Sequence, residues 1–282
     1  MFQNLLIADS GKGHVEEMVQ MLLHLPGFRA ARLNLLHVVP ELSSAGVQQH
    51  NLEGAALLAK AVERMELDPG EVNTIIRQGD TKQTVLAVAE ELNSDLIVMG
   101  SRGLGRLRSI LANSASQYVF QLSSRPMLLV RDDLYVRHIN HLLVTIDGTG
   151  VGDDALRLAC EMTRDIPGGQ LTGVHIASQD MVPTRGGRSK TDEILDKAVN
   201  RARRFGVELK PIHRTGLNIG RSVCAVAEEI NADLVVIASQ DRRPLVAKRL
   251  VDLEKLLGSS VSDYIRVNAP APVLLVREPE RR

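Results

Sequence analysis

Short runs of apolar residues alternate along this chain with longer amphipathic segments. The short runs are apolar throughout, which is typical of strands that are covered on both faces in a parallel sheet flanked by helices. In the first half this pattern predicts strands at 3–9, 33–39, 72–77, 95–99 and 127–131. It predicts helices between them at 14–25, 47–66, 81–93 and 111–122.

The second half of the chain shows the same alternation. Strands are predicted at 141–146, 170–176, 207–212, 233–238 and 273–277. Helices are predicted at 153–165, 191–205, 219–231 and 248–267. This order predicts an α/β protein with two doubly wound, Rossmann-like, five-stranded and mostly parallel sheets. Ligands of such sheets bind beyond the carboxyl ends of the strands, where the strand order reverses.

The two halves are also related to each other in sequence. Three blocks of the first half, around Asp9, His37 and Gly100, return at one common spacing around Asp147, His175 and Ala238. The last predicted strand, 126–131, returns as 272–277 after about eight extra residues. Four blocks in one order indicate two tandem domains, 1–136 and 137–282, with a boundary near 132–138.

Composition narrows the classes of function. Lys plus Arg and Asp plus Glu are both 34, so charge gives no reason to expect a nucleic-acid or anionic-membrane partner. Aromatic residues make up 2% of the chain and Trp is absent, which disfavours base-stacking surfaces. No apolar run approaches the roughly 18 to 20 residues that span a bilayer. The two cysteines, Cys160 and Cys224, form no CxxC pair, so we expect a cytoplasmic protein.

A glycine-rich segment follows the fourth predicted strand. Gly100 and Gly103 let the backbone approach an anion closely and present its N–H groups. Asn113, Ser114 and Ser116 are residue types that cap a helix N-terminus, whose free N–H groups and dipole suit phosphate. The segment is therefore either a phosphate cradle or a glycine-rich turn followed by an ordinary cap.

In its strand context this segment resembles the nucleotide-binding signature of the universal stress protein family. That signature is Gly, two residues, Gly, nine residues, Gly, then Ser or Thr. Gly100, Gly103 and Ser114 fit it, while Asn113 replaces the third glycine and narrows the space beside the phosphates. The resemblance extends over the whole chain, through the Leu-Leu-Ile-Ala-Asp, Leu-His-Val, Ser-Asp-Leu-Ile-Val-Met-Gly and Pro-Met-Leu-Leu-Val-Arg strands and the tandem arrangement.

The resemblance implies that the first half binds ATP or ADP, with Mg²⁺ bridging phosphate oxygens. Asp9 would face the adenosine, and Val38 would offer backbone contacts to adenine. The implied contacts to ribose and the phosphate chain are Gly100, Arg102, Gly103, Asn113, Ser114, Ala115 and Ser116. The resemblance also implies that the final strands of the two halves meet antiparallel, in an intramolecular pseudo-dimer. It leaves room for a homodimer of whole chains and for an unidentified protein partner.

The second half departs from this pattern. Ala238 and Asp241 stand where the first half has Gly100 and Gly103, and an acidic side chain repels phosphate. The distal Gly258-Ser259 pair and Asp147 are kept. We therefore expect one nucleotide per chain, in the first half. An adenine-only ligand, another anion and no ligand all stay open for the second half.

Three roles fit a nucleotide-binding protein of this kind. The first is a cytoplasmic stress-response regulator that uses ATP or ADP as a signal, the second a slow ATPase, and the third a non-catalytic adaptor. Asp9 is the only obvious acid, and it belongs at the adenosine end, so we predict no catalytic residue. The histidines have no HExxH spacing or cysteine partner, so we predict no metal ligands. The Asp9–Gly13 segment lacks the order of a Walker loop.

Overall fold

The structure is a computed structural model that describes residues 2–9, 15–40, 44–101, 114–177, 190–239 and 260–277. The chain divides into two compact units, Met1–Tyr135 and Val136–Arg282. Both units alternate strands with helices. Each is described by itself below.

The first unit contains a parallel sheet of five strands. These are β1 (Asn4–Ala8), β2 (Arg32–Val39), β3 (Val72–Gln78), β4 (Leu96–Ser101) and β5 (Met127–Arg131). They lie in the order β3-β2-β1-β4-β5, and every pair is parallel. The helices of its described part are α1 (Val15–His24), α2 (Ser44–Arg64), α3 (Thr81–Glu91) and α4 (Ala115–Leu122), with a 3₁₀ turn at Pro69–Glu71.

The second unit repeats this arrangement. Its strands are β6 (His141–Thr145), β7 (Gln170–Ala177), β8 (Leu209–Thr215), β9 (Leu234–Ser239) and β10 (Val273–Arg277). They lie in the order β10-β9-β6-β7-β8, again with every pair parallel. The helices of its described part are α5 (Gly150–Arg164), α6 (Lys190–Arg204), α7 (Ile219–Glu229) and α8 (Val261–Asn268).

The central strands are buried on both faces, as their uninterrupted apolar sequence predicts. Leu5 and Leu6 in β1 are fully buried, and so are Leu142, Leu143 and Val144 in β6. The edge strands β3 and β8 are instead largely exposed, with only Val72 and Ile75 buried in β3 and only Leu209 in β8, because only part of their surface is covered. The predicted fold class, two tandem five-stranded parallel α/β sheets, is confirmed.

Two predicted helix boundaries are wrong. The sequence pattern predicts helices over 111–122 and 248–267, but each range contains a serine with extended backbone. Ser114 has φ −76° and ψ 148°, and Ser260 has φ −82° and ψ 154°, so α4 and α8 begin only after them. The side-chain oxygen of each serine accepts a backbone N–H of the first helical turn. This bond keeps the backbone of the serine itself outside the helix. Residues 111–113 and 248–259 lie outside the described ranges.

Both cysteines are free thiols inside the second unit. Cys160 in α5 and Cys224 in α7 are buried, and neither takes part in a disulfide. Burial raises the pKa of the Cys160 thiol to about 12, so this group stays protonated near neutral pH. Among the helices of the described ranges, none combines the length and the apolar character that a bilayer crossing requires.

Candidate functional site

The strand order of the first unit reverses between β1 and β4. In the parallel register, Ala8 at the end of β1 lies beside both Leu36 in β2 and Met99 in β4. The predicted residues Asp9, Val38 and Gly100 follow within one or two positions, so they lie at the same sheet edge. This reversal forms the crevice in which doubly wound sheets bind ligands.

Asp9 continues β1 and is only 4% exposed. Its backbone N–H donates to the Leu36 carbonyl at 3.1 Å. Its own carbonyl oxygen lies 3.1 Å from Nδ1 of His37. Because a carbonyl oxygen only accepts, Nδ1 is the ring nitrogen that carries the proton in this contact. The second unit keeps this link, with Nδ1 of His175 donating to the Ile146 carbonyl at 2.6 Å.

A second buried carboxyl, which the sequence analysis missed, lies near Asp9. Glu16 in α1 is 3% exposed, and Arg64 in α2 donates to its Oε1 at 3.2 Å. Burial is the largest cause that raises the pKa of Glu16, and the charge of Asp9 raises it further. A backbone hydrogen bond and Arg64 act in the opposite direction. In the sequence, Glu16 looks like an ordinary acid in a first helical turn, although it precedes the buried Val19 by three residues.

The N-terminus of α4 carries two neighbouring hydroxyl groups. Ser114 is the N-cap, and its Oγ accepts the N–H of Gln117 at 3.2 Å. The Oγ atoms of Ser114 and Ser116 are 3.2 Å apart, and one donates to the other. The N–H groups of a first helical turn lack intrahelical acceptors, and the helix dipole is positive there. The donor groups at this cap therefore fit a phosphate.

The remaining predicted contacts are only partly described. Gly100 is half-buried near the end of β4, where it pairs with Val130, and Ala115 is the half-buried first residue of α4. Arg102, Gly103 and Asn113 lie outside the described residues, so their part in the site stays a prediction. The structure thus describes the two edges of the predicted site, at the strand ends and at the helix cap.

The equivalent helix of the second unit has an acid in its cap. Ser260 is the N-cap of α8, and its Oγ accepts the N–H of Asp263 at 3.1 Å. Its hydroxyl donates in turn to Oδ2 of Asp263 at 2.8 Å. Nε of Arg266 lies 3.6 Å from the other carboxylate oxygen, Oδ1. The first unit has the neutral Gln117 at the position of Asp263. This contrast can be found in the sequence, because Ser260-x-x-Asp263 has the spacing of a common helix-cap pattern.

The acid that follows β6 also differs from its first-unit counterpart. Asp147 is exposed, whereas Asp9 is buried. Its Oδ1 accepts the backbone N–H of Thr149 at 2.9 Å and the hydroxyl of Thr149 at 2.7 Å. A Cβ at Gly152 would overlap this oxygen, so the glycine makes room for the carboxylate. Asp241, Gly258 and Ser259 lie outside the described residues.

Comparison with known proteins gives one consistent family. A model described as "Universal stress protein family" matches residues 1–131 and again residues 138–277. Universal stress protein YxiE of Bacillus subtilis is 31% identical over 148 residues, which are 46% of this chain and 100% of that protein. A universal stress protein of Mycolicibacterium smegmatis is 27% identical over 214 residues, 73% of this chain and 69% of that protein.

A solved structure extends the likeness of fold to the full chain. The crystal structure of a universal stress protein from Archaeoglobus fulgidus matches with a TM-score of 0.75 at 18% identity. The match covers 99% of this chain and 97% of that one. At this identity the likeness concerns the fold alone.

Proposed function

The chain belongs to the universal stress protein family, and we propose that its first unit binds one molecule of ATP or ADP. Mg²⁺ bound with the nucleotide would offset the negative charge of the phosphates that the Ser114 and Ser116 hydroxyls would hold. Occupancy of this site acts as a signal in a cytoplasmic stress response, by changing a surface that a partner recognises. The two free, buried cysteines are in keeping with a reducing compartment.

The contrast between the two helix caps carries this proposal. At α4 the hydroxyls of Ser114 and Ser116 contact each other, and either can turn to donate to a phosphate oxygen instead. At α8 the Ser260 hydroxyl is already bonded to the Asp263 carboxylate. A phosphate at α8 would compete with that bond and would meet a negative charge. The described caps therefore favour phosphate in the first unit over the second.

The strand ends supply the adenosine end of the proposed site. The Asp9 carboxylate accepts hydrogen bonds from ribose hydroxyls, as acids after a Rossmann strand do. Gly100 has no side chain to block the crevice. Residues 114–117 at the α4 cap offer hydroxyl, amide and backbone N–H groups and hold no carboxylate or imidazole that could take a proton from water. We therefore propose signalling rather than hydrolysis as the role.

The test is to measure nucleotide in and on the purified chain. Denaturing the protein and separating the released small molecules should yield up to one adenine nucleotide per chain. Calorimetric titration with ATP should give the same stoichiometry. A Ser114→Ala variant should bind about 10-fold to about 150-fold more weakly, because a hydrogen bond to a charged group contributes about 1.5–3 kcal/mol. Ser260→Ala removes the matching cap of the second unit and should leave the affinity unchanged.

Two further measurements separate the alternatives. Ser114→Thr keeps both the cap and the hydroxyl donor, so it should bind nearly as well as the natural chain. Absence of bound nucleotide together with absence of binding by titration would refute the proposal. ATP hydrolysis that is much faster in the natural chain than in Ser114→Ala would favour an enzyme over a signalling protein.

A further inference from the structure

The second unit holds a cavity of about 450 Å³ at the carboxyl ends of β6, β7 and β9. Helices α7 and α8 close its other side. Its volume lies within the range of small-molecule sites, roughly 300–1,000 Å³. Most of its lining is apolar, including Ile146, Val174, Ile219, Ile237, Val261 and Ile265.

Two of these apolar residues are partly exposed at the rim of the cavity. Ile219 is 39% exposed and Val261 is 42% exposed, and they are the first residues of α7 and α8. The corresponding first residues in the first unit, Thr81 of α3 and Ala115 of α4, are polar or small. The second unit therefore has larger, partly exposed apolar side chains at these two lining positions, and an apolar ligand would cover them.

The polar groups in the lining are few and mostly bonded within the protein. The Ser239 hydroxyl accepts from Nη1 of Arg277 at 3.1 Å, and the Ser262 Oγ lies 3.0 Å from that of Ser260. Nδ1 of His175 donates to a carbonyl, which leaves Nε2 as the ring nitrogen that can accept a hydrogen bond. The exposed Asp147 adds a carboxylate. Nε2 of His175 and the carboxylate of Asp147 are thus acceptors that the lining offers to a ligand.

Charge at this cavity argues against an anion. None of the described residues that line it is Lys or Arg. The carboxylate of Asp147 is in the lining and that of Asp263 lies three residues after the α8 cap, while the buried guanidinium of Arg277 donates to Ser239 of the lining. An anionic group would lose its hydration here without gaining a Lys or Arg partner among the described residues of the lining.

We propose that this cavity binds a small uncharged molecule with an apolar body and a hydrogen-bond donor, at a site separate from the nucleotide of the first unit. The apolar body fills the space between the strand ends and the helices. The donor group reaches Nε2 of His175 or the carboxylate of Asp147. The second copy of the domain then differs from the first in the class of ligand that it binds.

A matched pair of dyes tests this proposal. N-phenyl-1-naphthylamine is neutral, apolar and carries one N–H donor, and 8-anilinonaphthalene-1-sulfonate is the same molecule with a sulfonate. Fluorescence titration of the full chain should show one neutral dye per chain and at least tenfold weaker binding of the sulfonate. Excess ATP and excess adenosine should leave the neutral dye bound.

Three variants locate the dye. Ile219→Thr and Val261→Ala introduce the residues of the first unit, and each should weaken neutral-dye binding about three- to tenfold, through the lost apolar contact. Leu52→Thr, at a 63% exposed leucine of α2, is the matched control and should bind as the natural chain does. Thermal unfolding of each variant checks that it is folded.

Several results would overturn the proposal. These are equal binding of the two dyes, displacement of the neutral dye by ATP or adenosine, and equal weakening by Leu52→Thr. Unchanged binding in both Ile219→Thr and Val261→Ala would do so as well. Ser114→Ala should leave binding of the neutral dye unchanged. The dye titration therefore tests this cavity independently of whether the first unit binds a nucleotide.

Discussion

The contrast between the two helix caps predicts that a single acidic residue will weaken nucleotide binding in the first unit. The substitution is Gln117→Asp, which gives α4 the cap that α8 already has. The N–H of Gln117 donates to Ser114 Oγ at 3.2 Å, so the new carboxylate would sit beside that hydroxyl. In α8, Arg266 lies 3.6 Å from Asp263 and offsets part of its charge, whereas the first unit has Phe120 at that position.

The size of the effect follows from the geometry of α8. There the carboxylate oxygen is 2.8 Å from the serine Oγ. A phosphate oxygen bonded to the same hydroxyl lies about 2.7 Å from it, so the two negative oxygens are at most about 5.5 Å apart. One unit charge on each then repels by about 3 kcal/mol at an effective dielectric constant near 20, and by about 0.8 kcal/mol in bulk water. We therefore expect ATP affinity to fall about 4-fold to about 150-fold.

The assay is calorimetric titration of ATP into the natural chain, Gln117→Asp and Gln117→Asn. The asparagine variant has the size of aspartate without its charge, so the difference between the two variants isolates the electrostatic part. That difference should shrink as ionic strength rises from about 0.05 M to about 0.5 M, because salt screens the repulsion. Equal losses in the two variants, or a difference that salt leaves unchanged, would refute the electrostatic explanation.

Three further predictions concern stability and thiol chemistry. Burial raises the pKa of Glu16 above its ordinary value of 4.5, so folding favours the protonated acid. This contribution to the free energy of unfolding is fully present below the pKa of Glu16 in the unfolded chain. It is lost as pH rises through the pKa in the folded chain. Urea unfolding should therefore show Glu16→Gln gaining stability over the natural chain at pH 7 but not at pH 4, and a pH-independent difference would contradict this. Cys160, with its pKa of about 12, should resist a thiol reagent at pH 8 until urea unfolds the chain; rapid labelling of the folded protein would contradict its burial. Leu143→Ala, at a fully buried position in β6, should lower the free energy of unfolding by about 2–5 kcal/mol in urea titration, and a loss below about 1 kcal/mol would mean that the site collapses around the gap.

The strands could be predicted from the sequence because their environment is uniform. A central parallel strand is covered on both faces, so Leu142, Leu143 and Val144 are all apolar and all buried. Apolar periodicity places the starts of α4 and α8 too early, although the residue types at 113–116 already indicate a helix cap before α4. A helix cap depends on one local bond, such as that from the Gln117 N–H to Ser114, and apolar periodicity does not record it.

The two site features that sequence reasoning missed differ in kind. Glu16 is buried because α1 and α2 pack together and bring Arg64 to its carboxylate, a contact between residues far apart in the chain. No local pattern around Glu16 specifies that partner. Asp263, by contrast, follows Ser260 at the spacing of a helix cap, so its role could have been predicted from four residues. Its effect on phosphate binding is recognised only when Asp263 is compared with the neutral Gln117 of the first unit.

Three differences between the described parts of the two units lie at helix N-termini. Thr81 and Ile219 begin one pair of corresponding helices, and Ala115 and Val261 begin another. In the second pair, Gln117 of the first unit corresponds to Asp263 of the second. The central strands, by contrast, keep the same apolar character in both units. Helix N-termini supply the positive dipole and free N–H groups that favour an anion, so an acid or a large apolar residue there acts directly against phosphate. A duplicated domain can therefore change its class of ligand at a few cap positions while its sheet stays intact, because the residues that form the fold and those that contact the ligand are different residues.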